Sequence, residues 1–167
     1  FKQIWSINVD GTRVVINACI KNNVKRVVYI SSTAVYGIPR FHPIYENSEL
    51  KPLGNYGVSK LEAEKVCEKY SESELDIAIV RPKTFIGPGR LGVFEILFDW
   101  IKRGKRIYII GSGKNRYQLL AVSDLVDLVW LLVQSDVNDT FNVGAEEFDS
   151  LRNDLHSLLD FANSGSR

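Results

Sequence analysis

The sequence predicts an α/β fold, a parallel sheet covered by helices, and three observations carry this. Residues 25–31 and 75–80 are short apolar runs without alternation, the pattern of strands buried on both faces. Stretches of helical length stand before and between them. A strand, a long crossover and a second strand in that order pair in parallel with a right-handed connection. The chain then reads as a parallel-sheet α/β unit over residues 1–86, with a second stretch of mixed helices and strands over residues 87–167.

The elements follow in order. Residues 4–22 form a helix, with Ile7, Val14, Val15 and Ala18 near helical spacing and Asn22-Asn23 ending it. Residues 25–31 are the first strand. Residues 33–55 form a long loop containing Pro39, Pro43 and Pro52, and loops of that length inside a domain usually serve function. A second helix covers 56–70. Residues 75–80 are the second strand, stopped by Pro82. Gly87-Pro88-Gly89 breaks the chain. A helix over 93–102, a strand over 106–110 and a turn at Gly111-Ser112-Gly113 come next. Ser123 reads as the N-cap of a helix to 134, with Asp124 in its first turn. A short strand over 140–143 and a helix over 150–161 complete the chain, and the polar tail 163–167 is expected to fray.

Composition excludes several classes. With 45% hydrophobic and 25% charged residues the chain can build a core and has an ordinary soluble make-up. A net charge of +1, with both signs mixed, offers no nucleic-acid footprint. No apolar run approaches the roughly 20 residues that span a membrane. Cys19 and Cys67 have no metal-ligand spacing and read as reduced thiols, so no metal site is expected. His42 and His156 read as surface residues. The chain opens at Phe1, contains no methionine and shows no signal-peptide pattern, so it is expected to be a piece of a longer cytoplasmic protein.

Tyr56-Gly57-Val58-Ser59-Lys60 carries the chemistry. A tyrosine and a lysine four apart share one helix face. An adjacent ammonium favours an ionised phenol, which suits the phenol to trading a proton with an alcohol. Ser31-Ser32 ends the preceding strand, from which a hydroxyl can reach the same substrate oxygen.

Ser31-Ser32-Thr33-Ala34-Val35-Tyr36-Gly37 followed by Tyr56-x-x-x-Lys60 resembles the extended short-chain dehydrogenase/reductases, the NAD-dependent epimerase/dehydratase family. The resemblance implies half of a Rossmann-like doubly wound parallel sheet over residues 1–86, part of a small α/β substrate lobe over residues 87–167, and NAD or NADP as cofactor. It makes Ser32, Tyr56 and Lys60 catalytic. It places Ser31, Tyr56, Lys60 and Pro82 against the cofactor, and Thr33, Thr84 and Arg116 toward the substrate. Asn8-Val9-Asp10-Gly11-Thr12 is similar to the family's Asn-x-x-Gly-Thr segment, whose Asn can help position the proton relay. Thr33 and Ala34 stand where the dehydratase branch carries an acidic pair, which argues against 4,6-dehydration. Ala121 stands where a histidine is common, and Arg116 is one residue further from Val122-Ser123-Asp124 than in sugar-nucleotide epimerases. The Gly-x-x-Gly-x-x-Gly turn that seats a cofactor pyrophosphate on a helix N-terminus is absent from these residues.

The resemblance thus implies an NAD(P)-dependent epimerase or oxidoreductase acting on a hydroxyl-bearing carbon of a nucleotide-activated sugar or similar polar metabolite. The intact parent is expected to be a homodimer, and these residues alone are expected to be inactive. The rivals are a reductase of the hydroxysteroid or flavonoid-alcohol type, a non-catalytic nucleotide sensor and an inert gene fragment.

Overall fold

The computed structural model describes residues 2–71, 75–89, 91–92, 94–163 and 165, and the chain divides into two compact units. One unit takes Phe1–Lys83 and Asp124–Val143; the other takes Thr84–Ser123 and Gly144–Arg167.

The first unit opens with continuous helix: α1 (Lys2–Trp5), a π-helical turn (Ser6–Asp10) and α2 (Gly11–Lys21). A π turn fits one more residue into a turn, so 3.6-residue periodicity does not reveal it. Asn22 ends α2 as expected, its side chain donating to the Ala18 carbonyl at 2.7 Å, and Asn23 takes the left-handed conformation that asparagine tolerates.

Strands β1 (Arg26–Ile30), β2 (Asp76–Pro82) and β5 (Thr140–Val143) form a parallel sheet in the order β1-β2-β5. Val28 faces Ala78, and Val80 faces Phe141. Pro82 does not stop β2 at residue 80. It is the last paired residue, beside Val143, and the following Lys83 amide donates to the Val143 carbonyl at 2.8 Å. The β1–β2 crossover contains helix α3 (Gly54–Ser71). Ile16 of α2 and Cys67 of α3 pack on Leu75, Ile77 and Ile79, with Cys19, Val27, Tyr29 and Tyr70 around them. Each large aliphatic side chain buried there contributes about 1.5–3 kcal/mol.

Burial pushes the Cys67 thiol from 9.0 up to about 12, with nearby Glu64 adding to the shift. The fold therefore holds this proton more tightly than the unfolded chain does. Its stabilising contribution is complete below pH 9.0 and is lost as the pH rises through about 12. Burial raises the Tyr29 phenol in the same sense. Cys67→Ala is expected to flatten the fall of unfolding free energy with pH across this window, by up to about 1.4 kcal/mol per pH unit. Urea titrations at successive pH values measure that slope; an unchanged slope contradicts the assignment.

In the second unit, β3 (Phe85–Ile86) pairs in parallel with β4 (Leu120–Ala121), and α4 (Phe94–Lys102) lies between them in sequence. Gly87 passes so close to Val122 that a Cβ there would collide with its side chain. Helix α6 (Leu151–Phe161) is capped by the Ser150 hydroxyl, which accepts from the Asn153 amide at 3.3 Å. Helix α5 (Val122–Gln134) starts directly after β4.

Two further expectations need correction. Residues 106–110 form no strand: they find no partner strand among the described residues, and Tyr108 and Ile110 are exposed. Nor is 87–167 one lobe, because residues 124–143 return to the first unit, where β5 extends the sheet beside β2. The fraying expected of the tail lies mostly outside the described residues.

Candidate active site

β1 delivers Ser31 and Ser32 to the carboxyl end of the sheet. The Ser31 amide donates to the Val80 carbonyl at 2.7 Å, which fixes the strand end. Ser32 is extended and caps a 3-10 turn (Thr33–Tyr36), its hydroxyl accepting from the Ala34 amide at 3.2 Å. Thr33 donates to the carbonyl of Pro82 at 3.4 Å, so β1 and β2 end together. Gly37 follows at φ +64°, and a Cβ there would run into the Lys51 carbonyl. Gly37→Ala is therefore expected to lower stability by about 1–3 kcal/mol, read from a urea denaturation midpoint. An unchanged midpoint would mean that the loop moves freely.

Helix α3 brings the tyrosine and lysine. Gly57 lies against the 3-10 turn, where a Cβ would stand 2.8 Å from the Ala34 carbonyl. That close approach sets the start of α3, with Tyr56, beside the segment that Ser32 caps. Tyr56 is half exposed. One turn later the Lys60 ammonium donates to the Ile30 carbonyl at 2.6 Å and lies 4.6 Å from the centre of the Tyr29 ring. Burial lowers the Lys60 pKa, opposed by Glu64 and Cys67. The ammonium thus sits at the residue preceding Ser31-Ser32.

A buried polar network, missed by the sequence reading, ties these pieces together. Arg81 of β2 binds Glu64 of α3 through two bonds of 3.0 and 2.7 Å, with both side chains almost wholly buried. The guanidinium also donates to Tyr36 Oη at 2.7 Å and to the Glu46 carbonyl at 3.0 Å. Tyr36 Oη donates to Asn142 of β5 at 2.9 Å, and the Asn142 amide donates to the Glu46 carboxylate at 2.8 Å. One guanidinium therefore links α3, the 3-10 turn and the long loop, and through Tyr36 it reaches β5. The sequence signal was slight: an Arg-Pro at a strand end, and a glutamate four residues after Lys60.

Whether the residues fit a nicotinamide cofactor can be judged from the strand end. Ser31 is 3% exposed, and its hydroxyl has no hydrogen-bond partner among the described residues. Buried hydroxyls are rarely left unpaired, so one at this place fits a group that completes it. Pro82 is buried at the matching end of β2.

Thr84 and Arg116 lie in the second unit. The Thr84 hydroxyl accepts from Tyr117 Oη at 2.9 Å. Arg116 donates to the Phe148 carbonyl at 2.9 Å and lies 4.4 Å from the centre of the Phe148 ring. Gly87, Gly89 and Gly92 have Gly-x-Gly-x-x-Gly spacing, but the strand before them is only two residues long and Pro88 stands between the first two. Among the described residues no cluster of His, Cys, Asp and Glu could hold a metal, and no helix is long and apolar enough to cross a membrane.

An uncharacterised protein, y4nG of Sinorhizobium fredii, is 39% identical over 98% of this chain and 41% of its own length. The N-acetyl-α-D-glucosaminyl-diphospho-ditrans,octacis-undecaprenol 4-epimerase of Escherichia coli O157:H7 is 34% identical over 75% of this chain and 38% of its own length. Among solved structures, a UDP-N-acetylglucosamine 4-epimerase from Methanobrevibacter ruminantium, in complex with UDP-N-acetylmuramic acid, superposes with a TM-score of 0.85 at 25% identity. That match covers 95% of this chain and 54% of the other. The chain thus spans about half the length of the relatives it matches, or less. A profile of the NAD-dependent epimerase/dehydratase family matches residues 2–144, and with the strand-end serines and the tyrosine–lysine helix in place the chain belongs to that family.

Proposed function

We propose that these residues are the catalytic half of an NAD(P)-dependent epimerase acting at a hydroxyl-bearing carbon of a diphosphate-linked sugar. The observation that carries the reading is the Lys60 ammonium bound to the Ile30 carbonyl, directly before Ser31-Ser32 and one turn from Tyr56. Tyr56 takes the proton of the substrate hydroxyl and later returns it. Ser32 holds the same oxygen by a hydrogen bond. Lys60 supplies positive charge one helical turn from Tyr56 and would donate to the nicotinamide ribose, and Ser31 and Pro82 would border the nicotinamide. Reversible hydride exchange at the substrate carbon is the chemistry that NAD(P) would supply when bound. Thr33 and Ala34, in place of an acidic pair, argue against 4,6-dehydration.

The relatives named above support a diphosphate-linked amino sugar as substrate and inversion at C4 as the reaction. Arg116 is the candidate for the diphosphate. The whole enzyme is read as a homodimer, a reading supported by the exposed Ile7, Val14 and Val15 on α2 and the turn before it. Turnover by residues 1–167 alone is not expected, because they carry no Gly-x-x-Gly-x-x-Gly turn for the cofactor pyrophosphate.

The test is to express the longest reading frame that encodes these residues. It is incubated with NAD and UDP-N-acetylglucosamine, and proton NMR follows the C4 epimer. The epimer is the expected product. Net NAD(P)H consumption with a hydroxysteroid ketone and no epimerisation would favour the reductase reading instead.

A further inference from the structure

Ser59 is wholly buried on α3, one residue before Lys60. A serine inside a helix that bonds back to an earlier carbonyl weakens and bends the helix, so propensity does not account for it. Its Oγ stands between two groups. It accepts from Asn8 Nδ2 at 2.9 Å and donates to the Tyr56 carbonyl at 2.8 Å. A hydroxyl has one proton, so the amide donated by Asn8 commits that proton to Tyr56. Asn8 is itself held in the π turn Ser6–Asp10. The Gly11 amide reaches back to the Ser6 carbonyl, and Thr12 donates to the Asn8 carbonyl at 2.6 Å. Such turns are frequent at functional sites, and this one presents a side-chain amide to the neighbouring helix.

We propose that Ser59, oriented by Asn8, is a positioning residue that fixes the first turn of α3 and so the placement of Tyr56 relative to Lys60. The proposal rests on the reading of Tyr56 and Lys60 as the reacting pair. Ser59 touches neither substrate nor cofactor; it acts through the Tyr56 backbone. The π turn and the catalytic helix thereby become one device. A change in the π turn is felt at Tyr56 without any contact between Asn8 and the phenol.

The test uses the 167-residue chain, with tyrosine rings labelled with carbon-13 and amides with nitrogen-15, in five forms: wild type, S59A, N8A, N8D and the S59A/N8A double variant. N8D is chosen because a carboxylate can only accept. It draws the Ser59 proton away from Tyr56 while leaving the packing almost unchanged. All three single variants are expected to shift the Tyr56 ring resonances. They are also expected to lower hydrogen-exchange protection in the first turn of α3 about three- to tenfold, the loss of about one hydrogen bond. The S59A/N8A double variant is expected to match S59A, not to add to it. If the melting temperature falls while the Tyr56 ring and the Lys60 amide stay in place, Ser59 is a packing residue only and the proposal is overturned. The measurement needs no substrate. Its failure therefore leaves the catalytic reading standing, and an inactive Tyr56→Phe enzyme does not rescue it.

Discussion

Replacing Glu64 with alanine is expected to lower the unfolding free energy of the chain by about 3–5 kcal/mol. The carboxylate is 0% exposed and takes two bonds from Arg81, whose side chain is only 4% exposed. Removing it leaves a guanidinium charged and buried without its counter-ion, and desolvating an uncompensated charge is what makes breaking such pairs expensive. The loss should also spread. Arg81 holds Tyr36 Oη and the Glu46 carbonyl, so the segment after Ser32 and the loop before Tyr56 should both gain exchange of their amides. Lys65→Ala is the control, since its bond to Glu62 is exposed and should change stability by no more than about 1 kcal/mol. Urea denaturation of the three proteins decides the matter. Equal costs for E64A and K65A would show that the buried pair does not organise the sheet end.

Lys60→Met is expected to separate stability from activity. The lysine gives up part of its hydration to reach the Ile30 carbonyl, and burial lowers its pKa accordingly. Methionine fills similar space without a charge to desolvate, so the melting temperature should stay level or rise. In the protein of the longest reading frame that encodes these residues, turnover should fall roughly 10²–10⁴-fold, the scale of a lost contribution to acid–base catalysis. This pattern is expected of a residue kept for chemistry at some cost in stability. A variant that melts earlier and keeps its turnover would make Lys60 a structural residue.

Much of the first unit was legible in the sequence for a simple reason. β1 and β2 are unbroken apolar runs, and the helix between them carries the tyrosine and lysine at a spacing that helix geometry turns into one face. Tertiary polar pairing was not legible. Glu64 and Arg81 are 17 residues apart and Tyr36 and Asn142 are 106 apart, and a local reading has no means of joining them. Ser59 drew no reading of its own because its partner, Asn8, lies 51 residues earlier. Residues 106–110 misled for the opposite reason. Their apolar pattern resembles a strand, but a strand needs a neighbour to take its backbone bonds, and periodicity says nothing about that neighbour. The return of residues 124–143 to the first unit depends likewise on pairing between β2 and β5.

The proposed role of Tyr56 is to move the proton of a substrate hydroxyl while bound nicotinamide would exchange hydride, and a single-turnover experiment checks it. The protein of the longest reading frame that encodes these residues is loaded with NAD and mixed rapidly with UDP-N-acetylglucosamine, and absorbance at 340 nm follows the reduced cofactor. A transient rise that decays as the epimer forms is expected in the wild type, and a rise at least about 100-fold slower in Tyr56→Phe with the same cofactor affinity. Cofactor reduction in Tyr56→Phe as fast as in the wild type would rule out Tyr56 as the proton carrier.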